Sequence, residues 1–386
     1  MEAQRIAAEC QKLFEDLEFT SVREWKARTG GVVVGYLPTY VPREVIHAAG
    51  ALAVGLFGGG DKLEIIKGDA FYQSYICHMP RSMLELGLSG RLDFLDLLLS
   101  PSLCDVIRNL SGVWQLQFPK VKTKYIDMPQ NFDPEVGGRF FITVMKELAQ
   151  LLESLGCRPV TNDLLRESIA LYNENRRLVD ALYDFRAEAP HKVPTAELYV
   201  VLRAGLLQPV EESNRTLAAY LEAVKSRETR PLDNVRVVVV GSFCEQPPLH
   251  LIKTLEKAGC YIVEDDFLQI ARWFKRPVAV DGDGYEAISE AFLNASRPSS
   301  SVFEGDKPKS EDLVQRIRDR RAEGVIFAAP SFCDPALLDL PFYQEALDRL
   351  GISYTQFQFS ENTGQFQTIK EQTGTFSDSI KLWSET

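Results

Sequence analysis

The sequence lacks long apolar runs and an apolar leader. No stretch reaches the roughly 18 consecutive apolar residues that a membrane-spanning helix needs, since even LDFLDLLLS (92–100) contains two aspartates. The opening residues, MEAQRIAAECQKLFEDLEF, mix charged and apolar side chains. They offer no uninterrupted apolar core for a signal peptide. These absences predict a cytoplasmic protein without a membrane partner.

Nucleotide-binding and hydrolase motifs are also missing. There is no G-x-x-x-x-G-K-[ST] P-loop and no G-x-S-x-G elbow, and GLFGGG (55–60) lacks dinucleotide-binding spacing. The net charge of −11, without a basic patch, argues against a nucleic-acid partner. No H-x-x-x-H zinc pair exists among the four histidines, which are His47, His78, His191 and His250. The chain itself is therefore not expected to bind ATP through a P-loop.

Strands alternate with helices in two separate stretches of the 386-residue chain. Apolar, β-branched runs bounded by turn residues predict buried parallel strands, for example VVVGYLP (32–38), FLDLLLS (94–100), NVRVVVVGSF (234–243) and EGVIFAAP (323–330). This alternation is typical of doubly wound α/β domains. We predict an α/β fold with two Rossmann- or flavodoxin-like lobes and parallel sheets, joined by a helical middle segment.

The predicted boundaries follow the change from alternating to purely helical patterns. Residues 1–132 form an N-terminal helix, running to about Arg28, and the first lobe; residues 133–230 form the helical connection; and residues 231–386 form the second lobe. A polar, Pro/Ser-rich loop is predicted within the second lobe at 297–310.

Seven cysteines, an odd number, make a disulfide framework improbable and predict reduced thiols. Ligands of open α/β sheets bind beyond the carboxyl ends of strands, and Cys77, Cys104, Cys244 and Cys333 fall at such places or at the start of a helix. A cubane iron–sulfur cluster needs thiolates converging from separate segments. Because no C-x-x-C pair exists, inert packing of buried thiols remains an alternative.

Packing is the better interpretation for the other three cysteines. Cys157 and Cys260 each follow a helix-ending glycine and begin a predicted strand, and Cys10 lies on the amphipathic first helix. A small apolar side chain is expected at such positions.

Six segments, in order along nearly the whole chain, resemble the 2-hydroxyacyl-CoA dehydratase and benzoyl-CoA reductase family. They are GYLPTYVPREVIHAAGALAVGLFGGG (35–60), YICHMPRSMLELGL (75–88), LLLSPSLCDVIRNL (97–110), VVVVGSFCEQPP (237–248), FAAPSFCDPALLDLPFYQEALDRLGISYTQFQF (327–359) and GQFQTIKEQ (364–372). The resemblance implies that Cys77, Cys104 and Cys333 hold a [4Fe-4S] cluster with one iron site free. Cys244 is extra: it either ligates a larger cluster, such as a double cubane, or only lines the site.

Five further residues are site candidates. His78, next to Cys77, could donate a hydrogen bond or a proton beside a cluster. Four residues after the first strand could line the active-site cleft: Tyr36, Tyr40, Arg43 and Glu44. The structural alternatives are that Tyr40 packs the turn and that Arg43 and Glu44 start a helix in solvent. His47 is expected to be packed or solvated.

The resemblance implies a function in low-potential electron transfer. The chain would be a cluster-bearing subunit of an ATP-dependent benzoyl-CoA reductase that converts benzoyl-CoA to a cyclohexadiene-carbonyl-CoA. Its implied partners are a homologous second cluster subunit, ATP-hydrolysing activator subunits and ferredoxin as electron source. Two alternatives stay open: a subunit of a 2-hydroxyacyl-CoA dehydratase, and a cluster-free two-lobed binding protein.

Overall fold

A computed structural model describes residues 1–302, 308–360 and 365–384. Its first sheet contains β1 (Val33–Tyr36), β2 (Leu52–Gly55), β3 (Leu97–Pro101) and β4 (Lys122–Ile126), and its second contains β5 (Val235–Val240), β6 (Cys260–Asp265), β7 (Gly324–Pro330) and β8 (Ser353–Phe359). The strand orders are β2-β1-β3-β4 and β6-β5-β7-β8, and every pairing is parallel. The predicted α/β class with two doubly wound parallel lobes is confirmed.

Helices cover the faces of both sheets and connect the lobes. In the first lobe they are α1 (Glu2–Glu15), α2 (Thr20–Thr29), α3 (Arg43–Ala48), α4 (His78–Leu88) and α5 (Asp105–Gln117). Between the lobes lie α6 (Arg139–Ser154), α7 (Asn162–Glu188), α8 (Thr195–Gly205) and α9 (Val210–Lys225). The second lobe has α10 (Leu249–Lys257), α11 (Gln269–Arg272), α12 (Gly284–Ala295), α13 (Lys309–Asp319), α14 (Asp334–Leu338), α15 (Leu340–Leu350) and α16 (Phe366–Ser384). Short 3-10 turns at Gly60–Lys62 and Gly68–Phe71 and a π turn at Pro134–Gly138 complete the described elements.

The central strands are buried on both faces because helices pack on each side of the sheets. Every residue of β1, β3 and β7 is buried, which explains why these strands read as continuous apolar runs rather than alternating ones. Edge strand β8 alternates between exposed and partly buried residues. No helix in the part of the chain that the structure describes is long and apolar enough to cross a membrane.

Two local predictions differ from the structure. The predicted first helix is interrupted after Glu15, because the Asp16 carboxylate accepts the backbone N–H groups of Glu18 and Thr20 and Phe19 adopts a left-handed φ of 52°. Cys157 does not begin a strand: it follows α6 into an extended link to α7, which is capped by the Thr161 side chain, and no neighbouring strand pairs with it among the described residues. Cys260 does open β6.

The long helix α7 contacts both lobes through buried ion pairs. Arg176 pairs with Glu44 of the first lobe, and Arg186 pairs with Asp265 at the end of β6, with 2.8 Å between nitrogen and oxygen. The larger of two apolar clusters contains buried residues from both sheets and from the helices between them. The middle helices therefore fix the two sheets relative to each other.

Candidate functional site

Four cysteines from both lobes line one cavity of about 310 Å³ where the carboxyl ends of the two sheets meet. Cys77 and Cys104 come from the first lobe, and Cys244 and Cys333 come from the second. The remaining wall is formed by Met79, Leu103, Asp105, Val106, Ile107, Glu245, Ser300, Phe332, Asp334, Pro335 and Leu338. The residues that the sequence placed beyond strand ends are therefore brought together by the fold.

Three of these cysteines precede the first residue of a helix. Cys77 is the N-cap of α4, Cys104 that of α5 and Cys333 that of α14. The free backbone N–H groups of a helix's first turn favour negative charge on a nearby sulfur. At Cys104 this effect is visible, since the N–H groups of Ile107 and Val106 oppose the rise in the thiol pKa.

Cys104 and Cys333 occupy equivalent positions in the two lobes. The segments Pro101–Asp105 and Pro330–Asp334 both read Pro-Ser-x-Cys-Asp, and each joins the third strand of its sheet to the following helix. Each lobe therefore contributes one cysteine to the cavity from a loop of the same five-residue sequence pattern. It is a sequence signal that separate inspection of the cysteines misses.

Burial favours the protonated thiol at three of the four cavity cysteines, Cys77, Cys104 and Cys244, when no cation is near. It is the largest cause raising the pKa of Cys77 far above its usual range, with the Glu245 carboxylate next, and it raises the pKa of Cys104 to about 11. The pKa of Cys244 is likewise raised, first by burial and then by the neighbouring Cys333. A positively charged metal group would reverse this balance, because metal binding expels the thiol protons.

An all-thiol donor set fits an iron–sulfur cluster better than a single metal ion. Among the described residues, no three His, Cys, Asp or Glu side chains converge as the ligands of one ion would. A cubane distributes its ligands over separate irons, so its cysteines do not have to meet at one point. Soft thiolates also select iron–sulfur clusters over hard cations. The residues present therefore fit the group that the family resemblance implies.

A run of serines ties the two equivalent cysteine loops together. The hydroxyl of Ser301 donates to the Leu103 carbonyl at 2.7 Å, and the hydroxyl of Ser300 donates to the Pro335 carbonyl. The Ser299 hydroxyl hydrogen-bonds the phenol of Tyr40. The sequence predicted only a polar loop in this stretch; its residues Phe303–Lys307 lie outside the described residues, whereas Ser299 is buried.

Backbone strain also marks the site. Phe332, directly before Cys333, has φ of 63°, and its side chain is 52% exposed at the cavity wall. A left-handed backbone is costly for a bulky residue and persists where the surrounding structure enforces it. In the first lobe, Leu103 precedes Cys104 and is not among the residues with positive φ.

The three residues predicted to act in catalysis lie outside the cavity lining. His78 is the first residue of α4 and is buried beside Cys77. Tyr40 is buried, packs against Trp273 with ring centres 5.8 Å apart, and supports Ser299. Glu44 faces α7 and pairs with Arg176. Tyr40 and Glu44 therefore make buried contacts between elements of the fold, whereas His78 lies next to Cys77, a cysteine that lines the cavity.

The neighbouring candidates also have structural contacts. The Arg43 guanidinium lies over the Tyr172 ring at 4.8 Å and donates to the Ile270 carbonyl, so it is buried rather than solvated. His47 hydrogen-bonds Ser168 at 3.0 Å and Glu211 at 3.1 Å.

The remaining three cysteines lie apart from the cavity lining. Cys10 and Cys260 are buried, and Cys157 is half-buried.

A second cavity of about 290 Å³ lies beside the first, at the point where the strand order of the second sheet reverses between β5 and β7. Such switch points are the usual ligand-binding crevices of open α/β sheets. Its wall combines aromatic side chains, such as Phe243, Phe327 and Tyr343, with charged side chains of both signs, such as Arg316 and Asp312. Ser300 lines both cavities, and residues of α14 face one or the other: Ala336 and Leu337 line the second cavity, whereas Pro335 and Leu338 line the first.

Comparisons with known proteins identify the family of this chain. Residues 38–380 match the family described as 2-hydroxyglutaryl-CoA dehydratase, D-component. The chain is 51% identical over 381 residues to one of the subunits of the benzoyl-CoA reductase of Thauera aromatica, covering 98% of this chain and 99% of that protein. It is 27% identical to the (R)-2-hydroxyglutaryl-CoA dehydratase subunit beta of Acidaminococcus fermentans, with 91% and 94% covered, and 26% identical to the lactoyl-CoA dehydratase subunit beta of Anaerotignum propionicum, with 97% and 96% covered. The resemblance predicted from the sequence is confirmed, and the chain belongs to the 2-hydroxyglutaryl-CoA dehydratase D-component family.

Proposed function

We propose that this chain is the iron–sulfur-cluster catalytic subunit of an ATP-dependent benzoyl-CoA reductase. The reaction adds two electrons and two protons to benzoyl-CoA and yields a cyclohexadiene-carbonyl-CoA. The observation that carries the proposal is the convergence of four cysteines from two lobes on one cavity, in a chain 51% identical to a benzoyl-CoA reductase subunit. Cys77, Cys104 and Cys333 are the proposed cluster ligands.

The cavity's own residues suit a redox group of low potential. When bound, an iron–sulfur cluster would supply single electrons, and its potential would depend on nearby charge, hydrogen bonds and exposure. The carboxylates of Asp105, Glu245 and Asp334 line the cavity, and negative charge disfavours further reduction of a bound cluster. Burial of Cys77 and Cys333 keeps water away from their sulfurs. These residues would therefore lower the reduction potential of a cluster bound here.

Exposed apolar side chains at the cavity support assembly with other subunits. Phe332 and Leu338 line the cavity yet are 52% and 65% exposed, and Phe342 on the adjoining α15 is 66% exposed. Clustered exposed aromatic and aliphatic side chains are typical of protein interfaces. The proposed partners are a homologous second cluster subunit and ATP-hydrolysing activator subunits that receive electrons from ferredoxin. ATP is then consumed by the activator and not by this chain.

The main rival function is that of a 2-hydroxyacyl-CoA dehydratase subunit, which the 26–27% identical relatives support. The assembled complex should be incubated anaerobically with ATP, reduced ferredoxin and either benzoyl-CoA or a 2-hydroxyacyl-CoA. Products should then be identified by mass spectrometry. A mass gain of two hydrogens on benzoyl-CoA is the expected result. Dehydration of the hydroxyacyl thioester without ring reduction would establish the rival instead.

Iron analysis separates both enzymes from a cluster-free binding protein. The triple variant Cys77→Ala, Cys104→Ala, Cys333→Ala should lose bound iron and acid-labile sulfide, whereas the wild type holds about four irons in this chain. The matched control replaces Cys10, Cys157 and Cys260 by Ala, since these lie apart from the cavity lining. Circular dichroism should show both variants folded. A wild-type chain without iron after anaerobic purification would overturn the proposal.

A further inference from the structure

The loop that carries Cys244 is held from both lobes. On its N-terminal side, the Asp266 carboxylate accepts the backbone N–H groups of Gly241 at 2.7 Å and Ser242 at 3.0 Å. The Ser242 hydroxyl donates to the Ala328 carbonyl of β7 at 2.5 Å. On the other side, the Glu245 carboxylate accepts the N–H of Met79, in the first turn of α4, at 3.0 Å. Cys244 therefore has little freedom to move away from the cavity.

The path of this loop depends on a glycine. Gly241 has φ of 109°, a conformation that side chains rarely adopt, and a Cβ there would lie 3.2 Å from the Ala328 carbonyl oxygen. The chain thus turns sharply at the end of β5 and approaches β7 closely. This turn brings Cys244 beside Cys333, which follows β7. The first lobe has no cysteine in the corresponding turn after β1, Leu37–Val41.

Cys244 faces the same cavity as the three proposed ligands. It is 7% exposed, comparable to Cys77 at 8% and Cys333 at 5%. The thiols of Cys333, Cys104 and Cys77 all lie near enough to influence it electrostatically. The carboxylates of Asp266 and Glu245 fix the Cys244 loop on its two sides. A thiol that served only as apolar packing would not require a loop fixed in this way.

We propose that Cys244 is a fourth thiolate ligand, so that the cluster held by this chain has no open iron position. The inference rests on the proposed function and deepens it. Three thiolates leave one corner of a cubane free for an exchangeable ligand, and a fourth thiolate closes that corner. A closed cluster passes electrons on but does not bind a substrate oxygen. Direct binding of the thioester carbonyl to iron then falls to another subunit of the complex.

The test uses the complete, anaerobically purified complex with Cys244→Ala in this chain alone. The variant should keep its cluster but acquire a labile iron. On mild oxidation with ferricyanide it should release about one iron per complex and give the electron paramagnetic resonance signal of a three-iron cluster. Cyanide should bind the variant's reduced cluster and change its spectrum. The wild type should show neither effect beyond what the unchanged partner subunits contribute. The matched control is Cys260→Ala, another buried cysteine of the same lobe, which should behave as wild type.

Each result bears on the assignment. If Cys244→Ala and the wild type release iron and bind cyanide to the same extent, Cys244 is not a ligand. If Cys244→Ala loses the whole cluster while Cys244→Ser keeps it with an altered spectrum, the ligand role is supported, because a serine oxygen can replace the thiolate. If Cys244→Ser instead matches the wild-type spectrum, the assignment is wrong. A wild-type chain with no iron would contradict the proposed function itself, which distinguishes the two failures.

Discussion

The two lobes have the same strand order but differ at the edge where ligands bind. In the second lobe, the switch point between β5 and β7 opens into a cavity of about 290 Å³, and cysteines follow both strands. In the first lobe, Tyr36 at the end of β1 and Leu37 and Tyr40 after it are buried, and the nearby cavity has only about 20 Å³. Only the loop after the third strand keeps its cysteine in both lobes.

Both sheets therefore have a strand-end edge at which a ligand could bind, but the side chains at that edge determine whether a cavity forms there. In the first lobe, the residues after β1 make structural contacts. The phenol of Tyr40 hydrogen-bonds Ser299, and Glu44 of α3 forms an ion pair with Arg176 of α7. In the second lobe, the corresponding loop supplies a thiol. The comparison leads to three predictions about the free energy of unfolding: one for each lobe's contact with the middle helices, and one for backbone strain in the cysteine loops.

The largest expected effect concerns the ion pair that holds the first lobe. Glu44→Ala leaves the buried Arg176 guanidinium without its carboxylate, and breaking a buried pair costs about 3–5 kcal/mol of unfolding free energy. Urea unfolding of the anaerobically purified protein measures this loss. The control is Glu174→Ala, which removes an exposed pair with Arg177 on the same helix and should cost under about 1 kcal/mol. Unchanged stability with lost activity would instead make Glu44 a catalytic group.

The second prediction concerns how the second lobe joins the middle helices. Glu256 of α10 accepts the Thr195 N–H at 2.6 Å, and burial raises its pKa to about 7. An acid whose folded pKa is raised binds its proton more tightly when folded, so stability is full below pH 4.5 and declines as pH rises from 4.5 to 7. The loss should reach about 3–4 kcal/mol, because the pKa rises from 4.5 to about 7 and one pKa unit corresponds to about 1.4 kcal/mol.

Glu256→Gln should remove this part of the pH dependence, because the amide oxygen still accepts the Thr195 N–H and carries no charge. Urea unfolding between pH 5 and 8 measures the effect. Glu222→Gln, at an exposed position on α9, should follow the wild-type curve. A Glu256→Gln curve parallel to that of the wild type would show that Glu256 is not the titrating group.

The smallest expected effect compares the two Pro-Ser-x-Cys-Asp loops. Phe332→Gly relieves the strain of a left-handed backbone at this residue, which is about 1–2 kcal/mol. Glycine in turn loses more conformational entropy on folding, which costs about 0.5–1 kcal/mol. The net change should be a gain of under about 1 kcal/mol in unfolding free energy. Leu103→Gly, at the equivalent position, should destabilise by more than about 2 kcal/mol, because it deletes a buried side chain without relieving strain. Equal losses in both variants would argue against strain at Phe332.

The sequence predicted the strands and the cysteine positions well because both depend on local patterns. Apolar runs such as VRVVVV mark strands buried on both faces, and the turn after each strand shows which cysteines reach the ligand edge. The contacts of Tyr40, Glu44 and the serine run were missed, since their partners lie more than 120 residues away in sequence. A periodic pattern does not say which distant helix a carboxylate will face. The break after Glu15 was missed because it depends on one side chain, the Asp16 carboxylate, which accepts the N–H groups of Glu18 and Thr20 just before and at the start of α2.

The serine run has a consequence for the proposed redox role. Hydroxyls of Ser300 and Ser301 cross-link the walls that carry Cys333 and Cys104, so the lobes cannot part there without breaking those bonds. A cavity braced in this way rearranges little when the charge inside it changes. For the proposed redox role, less of the driving force supplied by ATP hydrolysis would be lost to reorganising the protein at each one-electron arrival and departure.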